Sequence, residues 1–203
     1  MFYKSILAVV GIAAMFAGGV FAQTKSVPSV GTFKDSRDGK TYKSTKVGGK
    51  TWMAENLNFA AEGSECYGER ANCDKSGRLY NWATALKACP AGWYLPTDDE
   101  WTTLTDAVGG KDIAGTKLKS AEGWKNYGNG TDNYGWSALP GGCGCWSGGF
   151  SYLDPDARGY WWSATENSAD YAWDRLMYYD EKFVGRNDYH KTSLFSVRCV
   201  QDR

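Results

Sequence analysis

The chain has 203 residues, 23 basic and 23 acidic side chains, a single histidine, 25 glycines and six cysteines. The even charge gives no electrostatic reason to bind nucleic acid or anionic lipid, and the length suits one domain. With 10 tryptophans, 13 tyrosines and 8 phenylalanines, a core can be built from aromatics in a glycine-rich chain that has few aliphatics.

The N-terminus reads as an export signal. Lys4 supplies one charge, Ile6 to Phe16 is apolar or small, and Val20 and Ala22 stand at the −3 and −1 positions of a cleavage site. The 17 residues from Ile6 to Ala22 fall short of the ~20 needed to span a bilayer. Residues 1–22 are therefore expected to be a cleaved signal peptide, with no cysteine nearby for a lipid anchor. A secreted, periplasmic or cell-surface location follows, with no membrane span after cleavage.

Residues 23–34 are polar, short and aperiodic, and are expected to be a linker. The domain is expected over residues 35–203. Thr41–Val47, Gly48-Gly49 and Lys50–Asn56 read as a β-hairpin with a two-residue glycine turn. Leu79, Trp82, Ala83 and Leu86 recur at helical spacing, which predicts a helix over 78–88, stopped by Cys89-Pro90. Thr97-Asp-Asp-Glu100 is a capping box, with Asp98 and Asp99 on the positive end of the helix dipole. Trp101, Leu104, Thr105 and Val108 form the inward face of this second helix, and Gly109-Gly110 ends it.

Thr116 to Ser120 reads as a helical turn. Gly123 to Tyr160 is dense in Gly, Asn, Asp and Trp and is expected to be a long irregular loop pinned by aromatics, a feature more often functional than idle. Three strands are expected to close the domain, over 160–164, 172–179 and 194–201. In the last, Phe195, Val197 and Cys199 face one way and Ser196, Arg198 and Val200 the other.

An even cysteine count in an exported chain reads as disulfides rather than metal ligands. Six cysteines allow fifteen pairings. Proximity favours Cys66 with Cys73, and Cys143 with Cys145 is a candidate local staple, preferred here to a redox pair. Cys89 and Cys199 then remain.

Little in the sequence points to catalysis. His190 lies in a polar, turn-like stretch, and no serine stands in a nucleophile elbow. Asp98, Asp99 and Glu100 are accounted for by the helix start, which leaves Asp174, Asp180, Glu181 and Asp188 for any carboxylate pair of glycan hydrolysis. Trp82, Trp101, Trp161 and Trp162 lie on patterned segments and are expected in the core. Trp124, Trp136, Trp146 and Tyr152, accompanied in the loop by Tyr127 and Tyr134, form the candidate ligand surface, since exposed aromatics stack on flat apolar faces such as those of sugar rings.

Asp38-Gly-Lys-Thr-Tyr42, Gly49-Lys-Thr-Trp-Met-Ala-Glu-Asn-Leu57, Gly77-Arg-Leu-Tyr80, Ala88-Cys-Pro-Ala-Gly-Trp93, Leu95-Pro-Thr-Asp-Asp-Glu-Trp101, Gly159-Tyr-Trp-Trp-Ser-Ala-Thr165 and Phe195-Ser-Val-Arg-Cys-Val200 resemble the Fibrobacter succinogenes major paralogous domain family. The resemblance implies an exported or surface protein. The order of elements is also similar to a C-type-lectin-like α+β fold: two helices packed on short antiparallel sheets, with a long irregular loop and disulfide staples. The Leu95-Pro-Thr-x-x-Glu-Trp101 and Val197-Arg-Cys199 segments are similar to its sulfatase-modifying-factor branch. That likeness implies the Cys89–Cys199 pair again.

The triplets of calcium-dependent sugar binding are missing. Asp154-Pro155-Asp156 is the nearest acidic proline loop for a calcium ion, and serves equally as a plain turn. No other cofactor is implied. The expected function is a non-catalytic bacterial surface or secreted module that recognises polysaccharide or a surface component through residues 123–159. The alternatives are a structural envelope protein making protein contacts, and a glycan hydrolase or thiol-dependent modifying enzyme.

Overall fold

The computed structural model describes residues 30–146, 150–153 and 155–201. The expected signal peptide and the first part of the expected linker lie outside the described residues. In chain order the elements are β1 (Val30–Lys34), β2 (Thr41–Val47), β3 (Lys50–Met53), β4 (Ser64–Glu65), α1 (Arg70–Ser76), β5 (Leu79–Tyr80), α2 (Trp82–Ala88) and β6 (Trp93–Tyr94). They continue with α3 (Asp98–Ala107), α4 (Lys111–Leu118), β7 (Cys143–Trp146), β8 (Phe150–Leu153), β9 (Arg158–Glu166), β10 (Tyr171–Tyr178), β11 (Gly185–His190), β12 (Phe195–Ser196) and β13 (Val200–Gln201). The fold is α+β. Its sheets run β1-β2-β3-β13-β6, β11-β10-β9-β12-β5-β4 and β7-β8. Among the described residues, no helix is long and apolar enough to cross a membrane.

The expected hairpin is present, with Val47 opposite Lys50. Gly48 and Gly49 have φ of 60° and 78°, the left-handed pair that a tight two-residue turn needs. The sheet begins earlier than expected, because Val30–Lys34 forms edge strand β1 against β2 rather than a free linker. Phe33 anchors it by stacking on Trp93 at 4.2 Å and Tyr42 at 5.5 Å. The other four residues of β1 are exposed, so the strand looks polar in sequence.

The capping box forms as expected: Thr97 Oγ1 accepts from Glu100 N, and the Glu100 carboxylate accepts from Thr97 N. Trp101, Leu104, Thr105 and Val108 of this helical segment are all buried. The helix expected over 78–88 starts late. Leu79 and Tyr80 are strand β5, and Asn81 caps α2 by accepting from Thr84 N. Its inward face is Trp82, Ala85 and Ala88, while Leu86 is 41 % exposed. The helical turn expected at 116–120 is present over residues 116–118 as the last turn of the longer helix α4, and α1 was not anticipated. Both helices are short and carry few apolar residues, so periodicity is a poor guide there.

The segment 194–201 is not one strand. Ser196 pairs with Trp161 and Val200 with Trp52, so one extended run joins the two large sheets. Phe195, Val197 and Cys199 enter one buried cluster with Tyr80, Trp82 and Trp162. Val200 enters a second cluster with Trp52, Trp101, Trp136 and Trp161. The alternation is as expected, but both faces are interior.

A register shift in β9 opposite Ala172 and Asp174 displaces residues 163–165 from the ladder, as bulges do. Those residues hold the helices. Ser163 O accepts from Trp82 Nε1, Ala164 N donates to Pro96 O, and Thr165 Oγ1 accepts from Asp98 N. Three disulfides complete the frame: Cys66–Cys73, Cys89–Cys199 and Cys143–Cys145.

Candidate functional site

The long loop does not present its tryptophans as expected. Trp124 is only 5 % exposed, and its Nε1 donates to Ala138 O at 2.8 Å. Trp136 is fully buried, with its ring centroid 5.6 Å from that of Trp101 and 5.8 Å from that of Trp161. Both belong to the core and not to a ligand surface. A glycine-rich loop has no aliphatic ballast, so its large aromatics are what bury it. The side chains of Trp146, on β7, and Tyr152, on β8, lie outside the described residues. Tyr134 is partly buried, and Tyr127 is fully exposed at a turn with φ of 62°.

Two buried cations tie this loop down. Lys119 Nζ donates to the carbonyls of Tyr178, Tyr179 and Glu181, each at 3.0 Å, and lies over the Trp124 ring. Burial lowers its pKa. Arg198 donates to Asn56 Oδ1 at 2.8 Å, Met53 O at 3.2 Å, Ser137 O at 2.6 Å and Trp136 O, with its guanidinium over the Trp136 ring. Its complete burial lowers its pKa to about 9. Backbone carbonyls that would otherwise be orphaned are thus satisfied from within the chain.

The remaining acids do not converge. Asp174 is buried on β10, and neither carboxylate oxygen has a hydrogen-bond partner among the described residues. Burial pushes its pKa to about 8, with Arg175 opposing and Asp188 adding to the rise. In register, Asp174 stands opposite Asn187 and Trp173 opposite Asp188. Strand alternation therefore puts Asp174 and Asp188 on opposite faces. Asp188 accepts from Asn167, and Asp180 and Glu181 are exposed after β10. His190 is in edge strand β11, not in a turn, and its Nδ1 meets Thr192 Oγ1 at 2.7 Å. Asp156 forms an ion pair with Lys75, and Asp154 lies outside the described residues. No group of three or more His, Cys, Asp or Glu able to hold a metal occurs among the described residues.

A different site emerges where α3 and α4 meet β10 and β11. The Asp98 carboxylate accepts from Arg175 Nη1 at 2.6 Å and from Arg186 Nε at 2.9 and 3.0 Å. Arg175 Nη2 also donates to Asp98 O at 2.9 Å. The Arg186 guanidinium lies 3.3 Å from the Trp173 ring centroid. Burial lowers the Arg175 pKa, and Asp98 opposes that shift.

Beside this stack runs a groove of about 640 Å³, lined by Thr102, Thr105 and Asp106 of the α3 helix, Lys111 and Asp112 of α4, and Arg175, Arg186 and Asn187 of the strands. Leu176, Tyr178, Phe183 and Val184 line it as well, so polar and apolar side chains share the groove. Asp98 was expected only to serve the helix dipole, and Arg175, Arg186 and Trp173 were not singled out. A period-two signal was available: Tyr171, Trp173 and Arg175 share one face of β10 with His190, Asp188 and Arg186 of β11.

Fold and groove define a disulfide-stapled α+β module with a mixed polar and apolar concavity on its helix-to-sheet seam. The chain belongs to the Fibrobacter succinogenes major domain family, whose model matches residues 45–201. No curated protein and no solved structure matches it.

Proposed function

We propose that the chain is an exported, non-catalytic, C-type-lectin-like module that binds a polysaccharide in the α3–α4/β10–β11 groove. The observation that carries this is the Arg186–Trp173 stack, locked by Asp98 at the rim of a groove of about 640 Å³. Sugar hydroxyls both donate and accept, so they match a lining that mixes hydroxyls, carboxylates, an amide and cations. Positions held by a helix start and a paired strand need little ordering on binding, which favours affinity. The signal-like pattern of residues 1–22 and the three disulfides support export. A final segment bonded to the end of α2 supports the C-type-lectin-like assignment.

The test is pull-down on insoluble polysaccharides with a glycan array, comparing the natural chain with Asn187→Ala, Arg186→Ala and Trp146→Ala. We expect the first two to weaken binding about tenfold or more, the loss of one or two well-placed polar contacts, and Trp146→Ala to leave it intact. Binding lost on Trp146→Ala alone would return the site to the 123–159 loop. Capture of proteins but no glycan would favour a structural envelope role.

A further inference from the structure

We propose that the Cys66–Cys73 disulfide is a thiol–disulfide exchange site for an anionic low-molecular-weight thiol. The three disulfides differ in surroundings. Cys143, Cys145 and Cys199 are buried in the apolar cluster, with Cys89 partly buried against it, whereas Cys73, 3 % exposed, is buried outside that cluster and Cys66 is partly exposed. Cys66 and Cys73 instead line a cleft of about 450 Å³, with Lys40, Arg70, Arg78, Asn58 and Asp74 around them. Lys40 already pairs with Asp38 at 3.6 Å, and Arg70 and Arg78 against Asp74 leave this cleft a cationic excess that attracts an anion.

Arg78 is aimed at the bond. Its Nε donates to Ser64 Oγ and its Nη2 to Ser64 O, both at 3.0 Å. These contacts fix the fork so that Nη1 stands 3.5 Å from Cys66 Sγ and 3.7 Å from Cys73 Sγ. A cation at that distance stabilises a thiolate, and a leaving thiol of lower pKa leaves faster.

The chemistry balances with the thiol itself as reductant. An incoming thiolate attacks Cys66 Sγ, the more accessible sulfur. The S–S bond breaks, and its electron pair goes to Cys73 Sγ as a thiolate beside Arg78. A second thiolate attacks the outer sulfur of the mixed disulfide, releasing the symmetrical disulfide and the Cys66 thiolate. The protein disulfide gains two electrons, and the two thiols are oxidised.

The experiment treats the folded, fully oxidised chain with glutathione, which is anionic, or cysteamine, which is cationic, at matched thiolate concentration. Acid quenching, alkylation and peptide mass spectrometry then locate the opened bond. The expected result is a first adduct on Cys66, with glutathione faster than cysteamine at low salt and the advantage lost at high salt. Arg78→Gln is expected to slow opening roughly three- to tenfold, and Arg78→Lys, which keeps the charge, to retain most of the rate. The proposal is overturned if Cys89–Cys199 or Cys143–Cys145 opens first. It is also overturned if the natural chain shows no preference for the anionic thiol, a readout that needs no variant to fold, or if Arg78→Gln reacts at the natural rate.

Discussion

Replacing Asp174 by asparagine should stabilise this protein, and increasingly so as the pH rises. The carboxyl is buried on β10 with no hydrogen-bond partner on either oxygen among the described residues, and burial raises its pKa from 3.8 to about 8. A folded-state pKa above the unfolded one means that the native state holds a proton the unfolded chain gives up. Stability is therefore full below about pH 4, falls between about pH 4 and pH 8, and is level above that. At about 1.4 kcal/mol per unit the cost is roughly 4 kcal/mol at pH 7 and ~6 kcal/mol above pH 8. Asparagine keeps the shape and the unpaired polar atoms but cannot ionise, so it removes only the titrating part.

The assay is urea unfolding with disulfides intact, followed by tryptophan fluorescence, for the natural chain and Asp174→Asn at pH 5, 7 and 8.5. The stability gap should widen by about 3 to 4 kcal/mol from pH 5 to pH 8.5, following the same linkage. Taking the difference between the two proteins cancels the other titrating groups, including Asp35 and Glu100, whose pKa values are lowered. A gap that stays constant over this range would refute the reasoning, because it would show that Asp174 ionises as freely in the fold as outside it.

Three further outcomes are expected. Lys119→Met leaves the three carbonyls of Tyr178, Tyr179 and Glu181 without their donor and should cost about 3 kcal/mol in urea unfolding, with faster proteolysis between residues 119 and 139. Cys89→Ser with Cys199→Ser opens a link of sequence separation 110, whereas Cys66→Ser with Cys73→Ser opens one of only 7. The first pair should lower the urea midpoint more, by about 4 to 5 kcal/mol in stability on the loop-entropy account. Gly115→Ala puts a Cβ 2.5 Å from Phe183 O and 2.7 Å from Lys182 O, so α4 must move off that backbone. A loss of about 1 to 3 kcal/mol is expected, and an unchanged midpoint would show that the close approach is not required.

Local chemistry was legible in the sequence where few residues decide it. The turn at Gly48-Gly49 and the Thr97–Glu100 capping box each follow from side chains a few positions apart. The cysteine pairs followed from proximity and remainder, since two short closures left Cys89 and Cys199. Periodicity misled where a change of element fell inside the pattern. Leu79 and Trp82 keep helical spacing, yet Leu79 pairs as a strand with Ser196, which lies far along the chain.

By itself, then, the sequence determined the hairpin, the capped helix and the alternation of Phe195 to Val200, and favoured the disulfide partners, all of which rest on short-range rules or covalent arithmetic. Only the tertiary structure decided which aromatics the loop buries, and it put Trp124 and Trp136 inside. It alone brought Asp98 to Arg175 and Arg186, separated by 77 and 88 positions, and so formed the groove's rim. It alone sealed Asp174 without a hydrogen-bond partner among the described residues. The physical reason is common to all three. Burial and pairing depend on what the rest of the chain packs against a residue, and that neighbourhood is assembled from segments whose local patterns carry no record of one another.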